Sequence, residues 1–149
     1  REEREIVTAK YVNLAQNVME SDQVRNIIST LPIQHKATFA SIIINQGSRE
    51  KGQQTTGEVY ATYTKICNKF KLEELSQRRI GHIISELDMQ GLIHAKIVSL
   101  GRQGRTKFIN LAIDTKQLKS IIQNDSLFAD IFEEIVKSNK FGSMQLRLI

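Results

Sequence analysis

Apolar residues recur along this chain at helical spacing up to about residue 90, switch to alternation, and then return to helical spacing. The first thirty residues predict two helices, one capped by Thr8 with Tyr11, Leu14, Ala15 and Val18 on one stripe, the next capped by Asp22 with Val24, Ile27 and Ile28. Leu31-Pro32 closes that unit, because the residue before a proline is driven out of the α region. A third helix follows over 33–46, where Phe39, Ala40, Ile42, Ile43 and Ile44 make a broad apolar surface suited to the centre of a core, with Gly47 placed to end it. Residues 48–55 contain no apolar side chain and predict a surface loop.

Thr56 is a usable cap for a fourth helix, whose stripe is Val59, Tyr63, Ile66 and Phe70; Cys67 flanks that stripe and reads as a buried thiol with no chemistry. Ser76 caps the next helix. Its apolar residues Ile80, Ile83, Ile84 and Leu87 sit at i, i+3, i+4 and i+7, and Gly91 can terminate it. At 100° per residue, Arg78, His82, Ser85 and Met89 occupy the opposite face, with Arg79 and Glu86 along one border.

Residues 92–100 alternate, placing Ile93, Ala95 and Ile97 on one face, and 106–113 alternate again with Ile109, Leu111 and Ile113. Between them, Gly101-Arg102-Gln103-Gly104-Arg105 offers two glycines able to take positive φ, so the pair predicts a β-hairpin with an arginine-rich tip. Asp114 can cap a closing helix carrying Leu118, Ile121 and Ile122 and continuing through Leu127, Phe128, Ile131, Phe132 and Ile135 to about Lys137. The fold class is therefore mostly α with a small β-hairpin. The order of three helices, hairpin and helix is that of a winged helix-turn-helix, here preceded by two helices, and the second of its paired helices would read the major groove.

Charge sharpens this plan. The 149 residues carry 21 Lys and Arg against 16 Asp and Glu, a formal net charge of +5. Residues 1–75 hold ten basic and nine acidic side chains, and 108–149 hold five of each, whereas 76–107 hold six basic and two acidic. Nearly all the excess lies in the predicted reading helix and hairpin. Such a field suits a nucleic-acid backbone; a solvated basic face is the competing explanation. One proline, eight glycines, 40% hydrophobic and 25% charged residues exclude collagen-like and wholly disordered chains, and apolar runs of about four residues exclude a membrane span. A single cysteine cannot form an internal disulfide, so a reducing, cytoplasmic location is expected. His35, His82 and His94 lack metal-ligand spacing and no carboxylate pair is placed to converge, which leaves an enzyme reading little support. The opening Arg1-Glu2-Glu3-Arg4-Glu5 resembles neither a signal peptide nor a natural N-terminus, and a piece of a longer protein is expected.

Each candidate has a role available. Arg78 or Arg79 can donate two hydrogen bonds to guanine or clamp a phosphate, and Gln77 and Ser85 can donate or accept at a base edge. His82 projects outward to a DNA contact. Gly81 either lets DNA approach the helix or packs closely on another helix. Around the wing tip, Arg102, Gln103, Gly104, Arg105 and Lys107 can reach phosphate or a narrow minor groove. Thr56, at a helix N-terminus, can hold a phosphate.

The strings Thr56-Gly57-Glu58-Val59-Tyr60, Gln77-Arg78-Arg79-Ile80, Glu86-Leu87-Asp88-Met89 with Gly91-Leu92-Ile93, and Gly101-Arg102-Gln103-Gly104-Arg105-Thr106 together resemble the C-terminal winged-helix domain of archaeal replication initiators. That family is related to the origin recognition complex and the cell division control (Orc/Cdc) helicase loader. Leu31-Pro32 with His35-Lys36 resembles the start of that domain, and Ile6-Val7-Thr8 with Glu20-Ser21-Asp22-Gln23-Val24 resembles the end of the AAA+ lid, so the likeness runs from Ile6 to Leu111. It implies a lid remnant over 1–31, a winged-helix domain over 32–136 and a tail over 137–149. It further implies double-stranded origin DNA as partner, with replicative MCM helicase and initiator paralogues as partners of the whole protein, in a nucleoid-associated cytoplasmic setting. Full-length members bind ATP or ADP with Mg, but no G-x-x-x-x-G-K-[ST] string occurs here, so no cofactor and no ATPase activity are expected of this segment. The alternatives are a winged-helix module that binds protein and a general transcription-type DNA-binding domain.

Overall fold

The computed structural model describes residues 22–47 and 53–138. The chain divides into two compact units, Arg1–Thr30 and Leu31–Ile149. In the first, the described part is helix α1 over 22–29, within which Asp22, expected as its cap, is already helical. Its end is tied off by the Thr30 amide and the Ser29 and Thr30 hydroxyls, all donating to the Asn26 carbonyl at 3.0–3.2 Å. The helix expected after Thr8, the lid strings before Asp22 and residues 139–149 of the tail expected over 137–149 lie outside the described residues; 137 and 138 close the last helix.

The second unit runs α2 (Ile33–Gly47), β1 (Gln54–Thr55), α3 (Thr56–Phe70), α4 (Gln77–Met89), β2 (Ile93–Ser99), β3 (Arg105–Leu111), α5 (Thr115–Asn124) and α6 (Ser126–Ser138), with one 3₁₀ turn at Gly101–Gln103. It is a winged helix: mostly helical, with a small antiparallel sheet. Every residue of α2 from Ala37 to Ile44 is buried, so this helix forms the centre against which α3, α4 and α6 pack. Val59, Tyr63, Ile66 and Cys67 face it from α3, and Ile80, Ile83, Ile84 and Leu87 are buried on α4, as their spacing predicts. Phe128 of α6 meets Phe39 edge to face, with ring centroids 6.1 Å apart.

Three local expectations are corrected. The cap of α3 is Thr55, whose side chain accepts the Glu58 amide at 3.3 Å, and Thr56 is the first helical residue. The loop expected over 48–55 ends in a strand: Gln54 and Thr55 pair with Ile109 and Phe108, so the sheet has the order β1-β3-β2. Gln54 is fully buried, and its amide donates to the Ile42 carbonyl at 2.9 Å, a buried bond that holds a polar residue inside. The single closing helix is two. Asp125 interrupts it, its Oδ1 accepting the amides of Leu127 and Phe128 at 3.1 and 3.3 Å and its Oδ2 meeting Lys36 Nζ at 2.9 Å. A carboxylate that caps α6 and also neutralises a half-buried lysine outweighs the continuous apolar pattern around it.

Candidate nucleic-acid interface

Two tyrosines of α3 set where α4 begins. Tyr63 Oη donates to Gln34 Oε1 and accepts the Leu75 amide at 3.0 Å, while Gln34 Nε2 donates to the Glu73 carbonyl at 2.8 Å. Tyr60 Oη donates to the Leu75 carbonyl at 2.9 Å. Between them these bonds fasten the turn joining α3 to α4, which leaves α3 through Lys71 in the left-handed region at φ 55°. Burial pushes the Tyr63 hydroxyl far above its ordinary range and raises that of Tyr60 as well, so both remain neutral donors. Burial likewise raises the neighbouring Cys67 thiol, against a smaller lowering from Tyr63, which keeps it protonated. From α2, His35 Nε2 pairs with Glu86 Oε2 on α4.

Ser76 caps α4 by accepting the Arg79 amide at 3.3 Å. The first turn contains Gln77, Arg78 and Arg79 and no acid. Arginines at a helix N-terminus oppose the positive end of the helix dipole, an arrangement that costs the free protein about 0.3–1 kcal/mol per charge but suits an anion. At the other end, Gly91 at φ 80° reverses the chain: Leu92 donates to the Leu87 carbonyl at 3.1 Å and Gly91 to that of Asp88 at 3.0 Å. The hairpin thus returns alongside α4. At its tip, Gly101 and Gly104 take φ 66° and 89°, and Leu100 donates to the Gly104 carbonyl at 2.7 Å.

Where the start of α3, the first two turns of α4 and the wing face one another they leave a cleft of about 550 Å³ lined by Thr56, Gly57, Gln77, Arg78, Gly81, Ile97, Arg105, Thr106 and Lys107. No carboxylate is among these residues. Of the residues expected to touch DNA, the cleft brings together Thr56, Gln77, Arg78, Arg105 and Lys107. Arg79 and His82 are exposed on α4 outside its wall, and Arg102, Gln103 and Gly104 are exposed at the wing tip beyond it. Among the described residues, none gives a hydrogen bond or ion pair to the side chains of Arg78, Arg79, His82, Arg102 or Arg105. Ser85 and Lys107 differ: Lys107 Nζ donates to the Gly81 carbonyl at 2.9 Å and to Ser85 Oγ at 2.6 Å, and the Ser85 hydroxyl donates to the Gly81 carbonyl at 3.2 Å.

Gly81 has one of its two readings removed. A Cβ there would meet nothing within 4 Å, so close packing does not require the glycine. Alternation puts Ile97 on one face with Ile93 and Ala95. It is 62% exposed, because its β3 partner is Lys107 and the two lie where the hairpin has run past the core.

Residues 26–121 match the family described as CDC6, C terminal winged helix domain. Over 135 residues the chain is 42% identical to ORC1-type DNA replication protein 1 of Sulfurisphaera tokodaii, covering 89% of this chain and 33% of that protein. It is 39% identical over 142 residues to the ORC1-type DNA replication protein of Pyrococcus furiosus, covering 94% of this chain and 33% of the relative. The chain thus spans about a third of the length of these curated relatives. Its fold superposes with a TM-score of 0.74 on the Aeropyrum pernix ORC1 protein, solved in complex with DNA, at 31% identity over 82% of this chain and 31% of that one.

Proposed function

This chain belongs to the family of CDC6 C-terminal winged helix domains, and from that membership we propose that it grips double-stranded DNA at replication origins. In this reading α4 lies against the major groove, with Gln77, Arg78, Arg79 and His82 toward bases and phosphates, while Arg102, Gln103, Gly104 and Arg105 of the wing reach the adjacent backbone or minor groove. Origin selectivity, ATP use and contacts with MCM helicase or initiator paralogues belong to the longer protein of which such a domain forms a third, and are part of the same proposal. The observation that carries it is the cleft that holds Arg78 and Arg105 together: among the described residues no carboxylate lines it and none bonds either guanidinium. A ligand that supplies closely spaced anions along a groove-bearing rod satisfies both.

The experiment is fluorescence anisotropy of labelled origin and scrambled duplexes between about 50 and 200 mM salt. Log K is expected to fall linearly with log salt, by about 0.9 for each phosphate neutralised, and Arg105→Ala to weaken binding and lower that slope by about one phosphate. Equal affinity for both duplexes would leave a general DNA clamp. No duplex binding at about 50 mM salt would refute the proposal and favour a protein partner for the same cations.

A further inference from the structure

Lys107 stands apart from the other cations of the cleft because its ammonium is already hydrogen-bonded within the fold. Two of its three ammonium protons are committed to α4, one to the Gly81 carbonyl at 2.9 Å and one to Ser85 Oγ at 2.6 Å, and the side chain is half-buried. Its place in the sheet explains why this matters. Among the described residues, strand β1 supports β3 at Phe108 and Ile109, and from Lys107 outward β3 pairs with β2 alone. A two-stranded ribbon is marginal by itself in water. Lys107 is therefore the first residue beyond the reach of the third strand, and its bonds to the middle of α4 take over where β1 stops.

We propose that Lys107 is a positioning residue, whose ammonium latches the wing to the middle of α4 and so fixes Arg105 relative to Arg78, instead of gripping phosphate itself. The acceptors suit a latch. Both are neutral, so nothing cancels the charge; the Gly81 carbonyl takes the Ser85 hydroxyl in addition, which gathers two dipoles around one ammonium on the helix. Gly81 and Ser85 lie one helical turn apart on the same side, and a lysine stem reaching across the cleft floor from β3 meets both. The latch leaves one ammonium proton for a phosphate, whereas among the described residues nothing bonds the guanidinium groups of Arg78 and Arg105.

The inference rests on the DNA-binding reading, and the test separates the two. In the 149-residue chain, Lys107→Met keeps the apolar stem and removes every donor. The expected result is about five- to tenfold weaker duplex binding with the wild-type salt slope retained. In the free protein, ¹⁵N relaxation is expected to show lower order for wing amides between residues 97 and 107 while α4 stays rigid. Ser85→Ala, which leaves the charge untouched, is expected to move both readouts the same way by a smaller factor. Loss of about 0.9 from the salt slope with unchanged wing order would make Lys107 a phosphate ligand and overturn the proposal. Unchanged affinity with unchanged wing order would also overturn it. If the wild-type chain binds no duplex, the DNA reading fails, and wing order in the free protein still decides whether the latch exists.

Discussion

Gly81→Ala separates what the fold needs from what the cleft needs, because the two effects carry opposite signs. Glycine in a helix interior is less favourable than alanine by about 0.8–1.0 kcal/mol. At Gly81 no compensating reason is found in the packing: the added methyl would meet no atom within 4 Å, and the residue's φ is not in the left-handed region. The variant should therefore be more stable by about 1 kcal/mol, which for a folded unit of this size raises the Tm by about 4 °C. Gly81 also lines the cleft, with Arg78 and Ile97, where the proposed DNA must come close to the helix. Holding a phosphodiester back by a methyl's width is expected to weaken binding about five- to tenfold, or roughly 1–1.4 kcal/mol. The salt slope should not change, since no cation is lost. Thermal denaturation followed by circular dichroism reads the first effect and duplex anisotropy the second. A higher Tm with unaltered affinity would show that the glycine admits nothing, and a lower Tm would refute the open-space argument itself.

Other consequences follow from the bonds described. Tyr63→Phe strands the Leu75 amide and Gln34 Oε1, so chemical denaturation should show a loss of about 1–3 kcal/mol, with weaker DNA binding because the start of α4 is no longer fastened. Because burial raises the folded-state pKa of Tyr63 and Tyr60 above the ordinary value near 10, their contribution is fully present below about pH 10 and is lost as pH rises beyond it; urea titrations across pH 9–12 should show that fall, and Tyr63→Phe should make it shallower. Asp125→Ala removes the α6 cap and leaves the half-buried Lys36 amine alone, for which a cost of about 2–4 kcal/mol is expected by denaturant unfolding, against little change in DNA affinity.

How far the sequence could be read depended on whether a signal was local. The face of α4 was legible because Ile80, Ile83, Ile84 and Leu87 all answer to one buried stripe, and the wing tip because Gly101 and Gly104 are needed where φ is positive. Strand β1 was not: two residues cannot display a period, and Gln54 and Thr55 become a strand only because β3 arrives beside them from more than fifty residues away. The break at Asp125 was hidden by the apolar residues on either side, and what decides it is Lys36 on α2, 89 positions distant. At the interface, Arg78 and Arg105 could be chosen from charge alone. The distinction between those two cations and Lys107 could not, since it resides in the Gly81 carbonyl, a backbone atom that composition does not report.

Thr55 has two duties at once: it is the strand partner of Phe108 and it caps the helix carrying Tyr60 and Tyr63. A load applied at the hairpin's end therefore runs down β3, crosses at Thr55 into the start of α3, and passes through the tyrosines to α4. The wing and α4 are thus joined in series through bonded residues, so a displacement of one is handed on to the other.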